Sequence, residues 1–366
     1  MTENTEQGQA NRTESPLLSA ILVVKNEERN IAKCLVSLTG LVDEVVVLDT
    51  GSTDQTVEIA KLCGAKVYHE PWRDNWAYTN NLALSYAKGE WALLVDADET
   101  LTDTDCSAVR QRLRDVKQDV LFVRMPIQFV DGTLREQHSL RVIRKSSGAK
   151  WVYPIHSQIV LPPPEKEEEA SAKIDVSHSG ITLHDHGYSI SNDVNREKCR
   201  RNLRIVDRWE AELRAGHAFP DSPALSPDVE RHIAHTILKS AWGIEDWGRC
   251  VEAAGDIIRL NEGSQHHALA VEEACILGAA ALLNLKRYDA ASKLIRRGQE
   301  YAPDNPDVHF VASAVALEWY ASTIQGGGLQ RPDLQLRVFV HDLDVALQAH
   351  QVLTSLVNAV PMEEAS

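Results

Sequence analysis

Two aspartates one residue apart close an apolar run, Trp91-Ala92-Leu93-Leu94-Val95 leading into Asp96-Ala97-Asp98-Glu99. The run is short and apolar, so it reads as a buried strand with the acids at its carboxyl end. Hard carboxylate oxygens at that place suit a divalent cation that also grips phosphate. An isolated Asp-x-Asp pair is more often a surface or capping feature; its position after a strand favours metal binding. A third acid, Asp49, ends the run at 44–48 and precedes Thr50-Gly51-Ser52-Thr53-Asp54. In dinucleotide folds a carboxylate so placed accepts hydrogen bonds from a nucleoside. The bland reading is an empty turn, and the company of Asp96 and Asp98 weighs against it.

These acids need elements to position them. Strand signals at residues 19–24, 44–49, 65–69 and 91–95 alternate with helix signals at 26–38, 55–63 and 75–87. Ser52 and Thr53 are expected caps of the second helix. Repeated strand–helix units predict an α/β domain with a mainly parallel sheet, helices on both faces and ligands beyond the carboxyl ends of the strands. Further strands are expected at 120–125, 139–144 and around 180–183, with a proline- and acid-rich loop at 161–170 read as a solvated insertion.

From about residue 195 the pattern is helix only. Residues 196–213 form one amphipathic stretch, and segments 246–254 and 287–295 each begin at an aromatic and carry small alanines. Such helices approach closely in antiparallel hairpins, and the arrangement resembles a tetratricopeptide repeat with a period near 34 residues. Gln325-Gly326-Gly327-Gly328 interrupts the chain before a last expected helix at 339–357. The domains expected are a flexible tail over 1–16, an α/β domain over 17–192 and an all-α helical-hairpin domain over 193–323. A linker and C-terminal helix over 324–366 complete the chain.

The net charge of −15 argues against broad binding to nucleic acid or anionic membrane. It also means that a phosphate-bearing ligand needs a metal or a local positive cluster. No apolar run approaches the roughly 20 residues of a membrane-spanning helix, and the polar start lacks the apolar segment of a secretory signal. Cys34, Cys63, Cys106, Cys199, Cys250 and Cys275 are scattered without a Cys-x-x-Cys pair, which suggests neither a zinc site nor a disulfide framework. Reduced thiols in a cytoplasmic protein are the expectation.

Residues 23–28, 47–54 and 94–99, reading Val-Val-Lys-Asn-Glu-Glu, Val-Leu-Asp-Thr-Gly-Ser-Thr-Asp and Leu-Val-Asp-Ala-Asp-Glu, resemble family 2 glycosyltransferases of the GT-A fold. The resemblance covers about the first 160 residues. It implies inverting transfer from a nucleotide-diphosphate sugar, a UDP-sugar foremost. It implies donor contacts at Val24, Lys25, Asn26, Glu27, Asp49, Gly51, Ser52, Asn81 and Ala97, with Mg²⁺ or Mn²⁺ held by Asp96 and Asp98. Arg141 to Arg144, Trp151 to His156, His184-x-His186-Gly187-Tyr188 and Lys198-x-x-Arg201-Asn202-Leu203 resemble a bacterial subgroup whose transferase domain precedes tetratricopeptide-like helices. That subgroup includes bacteriocin S-glycosyltransferases, and lipopolysaccharide core glucosyltransferases share the N-terminal motifs. Two departures stand out. Thr79-Asn80-Asn81 replaces Ala-Arg-Asn, removing an arginine expected at the donor, and His156-Ser157 replaces His-Glu, removing a carboxylate.

A hydroxyl acceptor needs a base, and the candidates are Glu99, Asp185 and His156. His156 is equally a third metal contact, a diphosphate donor, or a ring packed beside Trp151 and Tyr153. His184 and His186 share a strand face and either flank the site or pair with the helical domain. Tyr188 stacks on a sugar or fills the domain junction. Core packing is the better reading for Trp72 and Trp76, and for Trp242 and Trp247. The acceptor is expected to be a peptide, a protein or a saccharide, with nucleic acid disfavoured by the charge. The helical domain binds that acceptor or a partner, or forms a homodimer. A nucleotidyltransferase fits poorly, since Val24-Lys25-Asn26-Glu27 lacks glycine. The non-enzymatic alternative is a decayed transferase domain serving as a helical-repeat scaffold.

Overall fold

The structure, a computed structural model, describes residues 15–128, 134–162, 177–186, 192–262 and 268–325. Nearly all of the expected tail, most of the acidic loop, Tyr188 and the last helix lie outside the described residues. The chain divides into two compact units, Met1–Ile190 with Pro220–Ser222, and Ser191–Phe219 with Pro223–Ser366.

The first unit opens with β1 (Leu18–Val24), α1 (Ile31–Ser37), β2 (Glu44–Asp49), α2 (Thr56–Leu62), β3 (Lys66–His69), α3 (Trp76–Tyr86) and β4 (Trp91–Leu94). Then follow β5 (Glu99–Thr102), α4 (Cys106–Asp115), β6 (Val120–Gln128), β7 (Leu134–Arg144), β8 (Lys150–Val152), β9 (Gln158–Val160) and β10 (Ser177–Asp185). Strands β8 and β9 pair with each other, and the rest form one sheet in the order β3-β2-β1-β4-β7-β6-β10-β5. Alternate residues of β1 feed opposite cores. Leu18, Ala20, Leu22 and Val24 pack with Ile31, Leu35, Ala60 and Val109, while Ile21 packs with Val46, Leu48, Ala77 and Ala83. A strand covered on both faces has no polar side to show, which is why β1 is apolar apart from Ser19, whose hydroxyl donates to Glu44.

The sheet is mixed rather than mainly parallel throughout. β3, β2, β1 and β4 are parallel neighbours. β7 runs antiparallel to both β4 and β6, and β5 runs antiparallel to β10. A short connection enforces this for β6 and β7, which meet without the helical crossover a parallel partner requires. Because β6 and β10 are parallel, the carboxyl end of β10 faces the same edge as those of β1, β2 and β4.

That edge is drawn together by curvature. Four strand intervals of about 4.8 Å separate β4 from β5, roughly 19 Å in a flat sheet. The five-residue step from Leu94 to Glu99 spans at most about 18 Å fully extended, and it is a tight turn, with Glu99 N donating to Asp96 O at 3.0 Å. The sheet must therefore curl. Two bulges assist it. The β6–β7 register passes from Leu121–Val142 to Phe122–Leu140, leaving Arg141 as the extra residue, and β10 shifts against β6 between His178 and Thr182.

The second unit contains α5 (Asn192–Arg214), α6 (Pro227–Gly243), α7 (Trp247–Leu260), α8 (Ala268–Asn284), α9 (Tyr288–Tyr301) and α10 (Pro306–Gln325). Consecutive helices pack on one another. The related helices α7 and α9 begin at Trp247 and Tyr288, farther apart than a 34-residue period. Trp242 and Trp247 meet edge to face at 5.1 Å against the core of Ala253, Ile257 and Cys275. The fold class is thus an α/β domain followed by an all-α helical-hairpin domain. Among the described residues no helix is long and apolar enough to cross a membrane.

Candidate functional site

The loops after β1 and β2 are laced together. Val24 lies opposite Asp49, so both loops leave the sheet side by side. Asn26 adopts the left-handed conformation, φ +57°, which asparagine tolerates better than most residues. Its amide donates to Ser52 Oγ at 2.9 Å, and its Oδ1 accepts Thr53 N at 2.8 Å. Glu27 N reaches Thr56 Oγ1 at 2.7 Å, and Gln55 N reaches Glu28 Oε2 at 3.1 Å. These cross-links hold residues 25–30 out of the helix. The α1 helix therefore starts at Ile31 rather than near Asn26, and Ser52 and Thr53 bind the neighbouring loop instead of capping α2, whose N-cap is Gln55.

Asp49 is 4% exposed. It accepts Ser52 N at 3.0 Å and Gly51 N at 3.3 Å, and it faces His69 Nδ1 at 3.1 Å. Burial pushes its pKa up, but the Ser52 hydroxyl, these amides and His69 together hold it below the ordinary value. Gly51 allows the turn, at φ +105°. The Val24 and Ala97 side chains lie in the core, which leaves only their backbone to face a donor. The Val24 carbonyl accepts both Thr50 N and Thr50 Oγ1 at 2.9 Å.

After β4, the turn at 96–98 brings several acids together. Burial, and then the charges of Asp98, Asp54 and Asp96, push Glu27 up despite a hydrogen bond from Asn30. Asp96 projects outward with its side chain 52% exposed, and Asp98 is half-buried. Glu99 is 1% exposed. Its Oε2 accepts Asp96 N at 2.8 Å, and its Oε1 takes Arg141 Nη2 at 3.2 Å. Burial and the Asp96 charge push it up to about 8 against the pull of Arg141. Glu99 thus holds the turn from beneath and has no open face for an acceptor, which corrects its expected role as a base.

Arg141 was legible only as part of a motif. Nη1 and Nη2 both approach Asp96 Oδ2 at 3.2 Å, from a side chain 15% exposed. Two neighbouring carboxylates hold its pKa above the usual value against the cost of burial. Its signal in sequence is weak, because only the bulge turns this strand residue towards the acids.

β10 delivers Asp185 directly opposite Glu99. Asp185 is half-buried, and its charge acts on both Glu99 and Arg141. His186 N donates to Asp98 O at 3.0 Å, and its Nε2 lies 3.2 Å from Lys33 Nζ and 2.9 Å from Thr100 Oγ1. The His184 and His186 rings meet at 4.6 Å. Both histidines therefore flank the acidic turn.

Two expected residues are placed otherwise. The Asn81 amide is paired to the Trp151 backbone, accepting from N and donating to O at 2.9 Å each. It fixes β8 rather than facing a donor. His156 is exposed at φ +48°, in a loop tied to the start of α3 through Trp76 N and Pro154 O at 2.9 Å. Among the described residues no group of three or more His, Cys, Asp or Glu is arranged to hold a metal ion. His156 is not gathered with Asp96 and Asp98 into such a group. Trp72 and Trp76 are half-buried partners at 4.7 Å.

The chain is similar to several known proteins. A TPR repeat-containing protein of Synechococcus elongatus is 28% identical over 200 residues, covering 53% of this chain and 48% of its own. The SPbeta prophage-derived glycosyltransferase SunS of Bacillus subtilis is 24% identical over 200 residues, covering 54% and 46%. An uncharacterized glycosyltransferase of Rickettsia typhi is 42% identical over 85 residues, covering 23% and 29%. The chain thus spans about half, or less, of the length of these relatives. Residues 19–166 match the model of glycosyl transferase family 2, a stretch that runs from β1 past the acidic turn and Arg141. The α/β unit thus carries, over residues 19–166, a match to the glycosyl transferase family 2 domain.

Proposed function

We propose that the chain is an inverting, metal-dependent glycosyltransferase that moves a sugar from a nucleotide-diphosphate sugar, a UDP-sugar foremost, to a peptide or saccharide nucleophile. The observation that carries this reading is the convergence of Asp49, the Lys25–Glu27 loop and the Asp96–Asp98 turn at adjacent carboxyl ends of β2, β1 and β4. Asp96 and Asp98 offer hard oxygen donors, with Glu27 crowded against them. Two protein carboxylates without a third ligand fit Mg²⁺ or Mn²⁺, which keep positions for water and phosphate. Such an ion, when bound, supplies positive charge to the leaving diphosphate.

The chain's own residues do the rest. Asp49, held ionised by its amide donors, accepts hydrogen bonds from the nucleoside. The Asn26–Ser52–Thr53 lacing keeps the loop rigid, and Lys25, exposed beside it, adds positive charge near the phosphates. Asp185 takes the acceptor proton. It is the base candidate that is neither buried like Glu99 nor set in the α3-anchored loop like His156. General-base catalysis of this kind contributes about 10²–10⁴-fold. The six cysteines are free thiols, which suits a cytoplasmic setting.

The test is UDP release from UDP-sugars with Mn²⁺ or with a chelator. Asp98→Ala should lower the Mn²⁺-dependent rate at least about 10³-fold. Asp185→Asn should cost about 10²-fold in transfer with little change in donor KM. Absence of metal-dependent UDP release from every common donor would instead favour the scaffold reading.

A further inference from the structure

The geometry points to Arg141 as a built-in counter-ion that competes with the divalent cation for Asp96 and so couples cation binding to donor binding. The inference rests on the glycosyltransferase reading above and concerns a residue for which that reading has no task. Arg141 is the extra residue of the β6–β7 bulge, and only that irregularity lets a strand side chain turn onto the 96–99 turn. Its guanidinium straddles two carboxylates of different character. Glu99 is buried, with one oxygen accepting Asp96 N at 2.8 Å and the other accepting Arg141 Nη2 at 3.2 Å, so it anchors the guanidinium from beneath. Asp96 is half in solvent and is engaged through one oxygen alone, Oδ2. Arg141 can therefore release Asp96 while keeping Glu99.

This division has a consequence for the ion. Before any ligand arrives, Arg141 neutralises Asp96 and keeps the turn in place. A dication approaching Asp96 meets a guanidinium bonded to the same oxygen, and two like charges a few ångströms apart in a half-buried setting repel strongly. A diphosphate arriving with the ion brings negative charge that offsets the repulsion, and the freed guanidinium donors have phosphate oxygens to face. By linkage, whatever tightens the ion in the presence of nucleotide tightens nucleotide in the presence of the ion. Arg141 is thus a positioning residue that discourages premature loading by the ion alone.

The test is Mn²⁺ titration of the full chain, read by the electron paramagnetic resonance of free Mn²⁺, with and without UDP. Arg141→Gln should tighten Mn²⁺ at least tenfold without UDP and shrink the enhancement that UDP brings. Arg141→Lys, which restores a charge, should return towards wild type. A residue of merely structural importance would weaken Mn²⁺ on removal, so the direction of change separates the two roles. Should Arg141→Gln fail to fold, with Glu99 Oε1 left buried without its donor, the double variant Arg141→Gln with Glu99→Gln restores neutral amide partners and carries the same expectation. Wild-type Mn²⁺ binding that responds to UDP, with affinity in the folded variants unchanged or reduced, overturns the inference alone. Wild-type protein that takes up no Mn²⁺ even with UDP overturns the functional reading and this inference together.

Discussion

Asp49 has two oxygens and three partners, the Gly51 and Ser52 amides and His69, so its charge stabilises the β2–α2 turn beyond the nucleoside contact proposed for it. Its pKa lies below the ordinary value. The stabilisation is therefore fully present above about pH 4 and is lost as pH falls through the depressed folded value. Asp49→Asn should cost about 1–3 kcal/mol near neutrality, the range for disturbing buried charge-assisted hydrogen bonds. The difference in Tm from wild type should narrow as pH falls below about 4 and close below the depressed folded value, where the aspartate is protonated in both states. Parallel Tm profiles from pH 3 to 7 would show that the charge has no such role. UDP affinity measured by calorimetry should fall in the same variant.

Elements hold the site through their ends. The α3 helix begins at the N-cap Asn75, whose Oδ1 accepts Tyr78 N at 2.9 Å while its Nδ2 donates to Pro220 O at 2.8 Å. The residue is 2% exposed, so water does not replace either bond. Asn75→Ala should lower stability by about 2 kcal/mol, at the upper end for a lost N-cap. Urea denaturation would measure this, and Asn75→Asp, which keeps the cap acceptor but not the donor, should recover part of the loss. Strand β10 acts at a longer range: its register on β5, and its bulge at Gly180, fix Asp185 opposite Glu99.

At the scale of the whole molecule, two chemically similar glycines of the helical unit have opposite tasks. A Cβ on Gly278 would lie 2.8 Å from Ala254 Cβ and 2.8 Å from Leu294 Cδ2, so α8 depends on a bare backbone to meet α7 and α9. Gly278→Ala should destabilise the unit by about 1–3 kcal/mol through overpacking. Gly255 is exposed on α7 with nothing within 4 Å of an added Cβ. Gly255→Ala should instead stabilise by about 0.5–1 kcal/mol, from helix propensity alone. Scanning calorimetry of both variants checks the pair of signs, and equal shifts would refute the packing account.

Asp49, Asp96 and Asp98 were legible without coordinates. An apolar run that stops at an acid marks a strand's carboxyl end, and parallel βα units bring such ends to one edge. The α/β and helical halves were legible for the same reason, since both rest on local periodicity. Tertiary structure alone decided that Glu99 is buried, that Arg141 bonds Asp96, that Asn81 is tied to Trp151 and that Asp185 stands opposite Glu99. Each of these depends on which distant strand is the neighbour and on where a bulge shifts its register by a residue. Strand register is set by pairing across dozens of residues, and a single-residue shift turns a side chain from one face to the other; no local pattern in the chain encodes that choice.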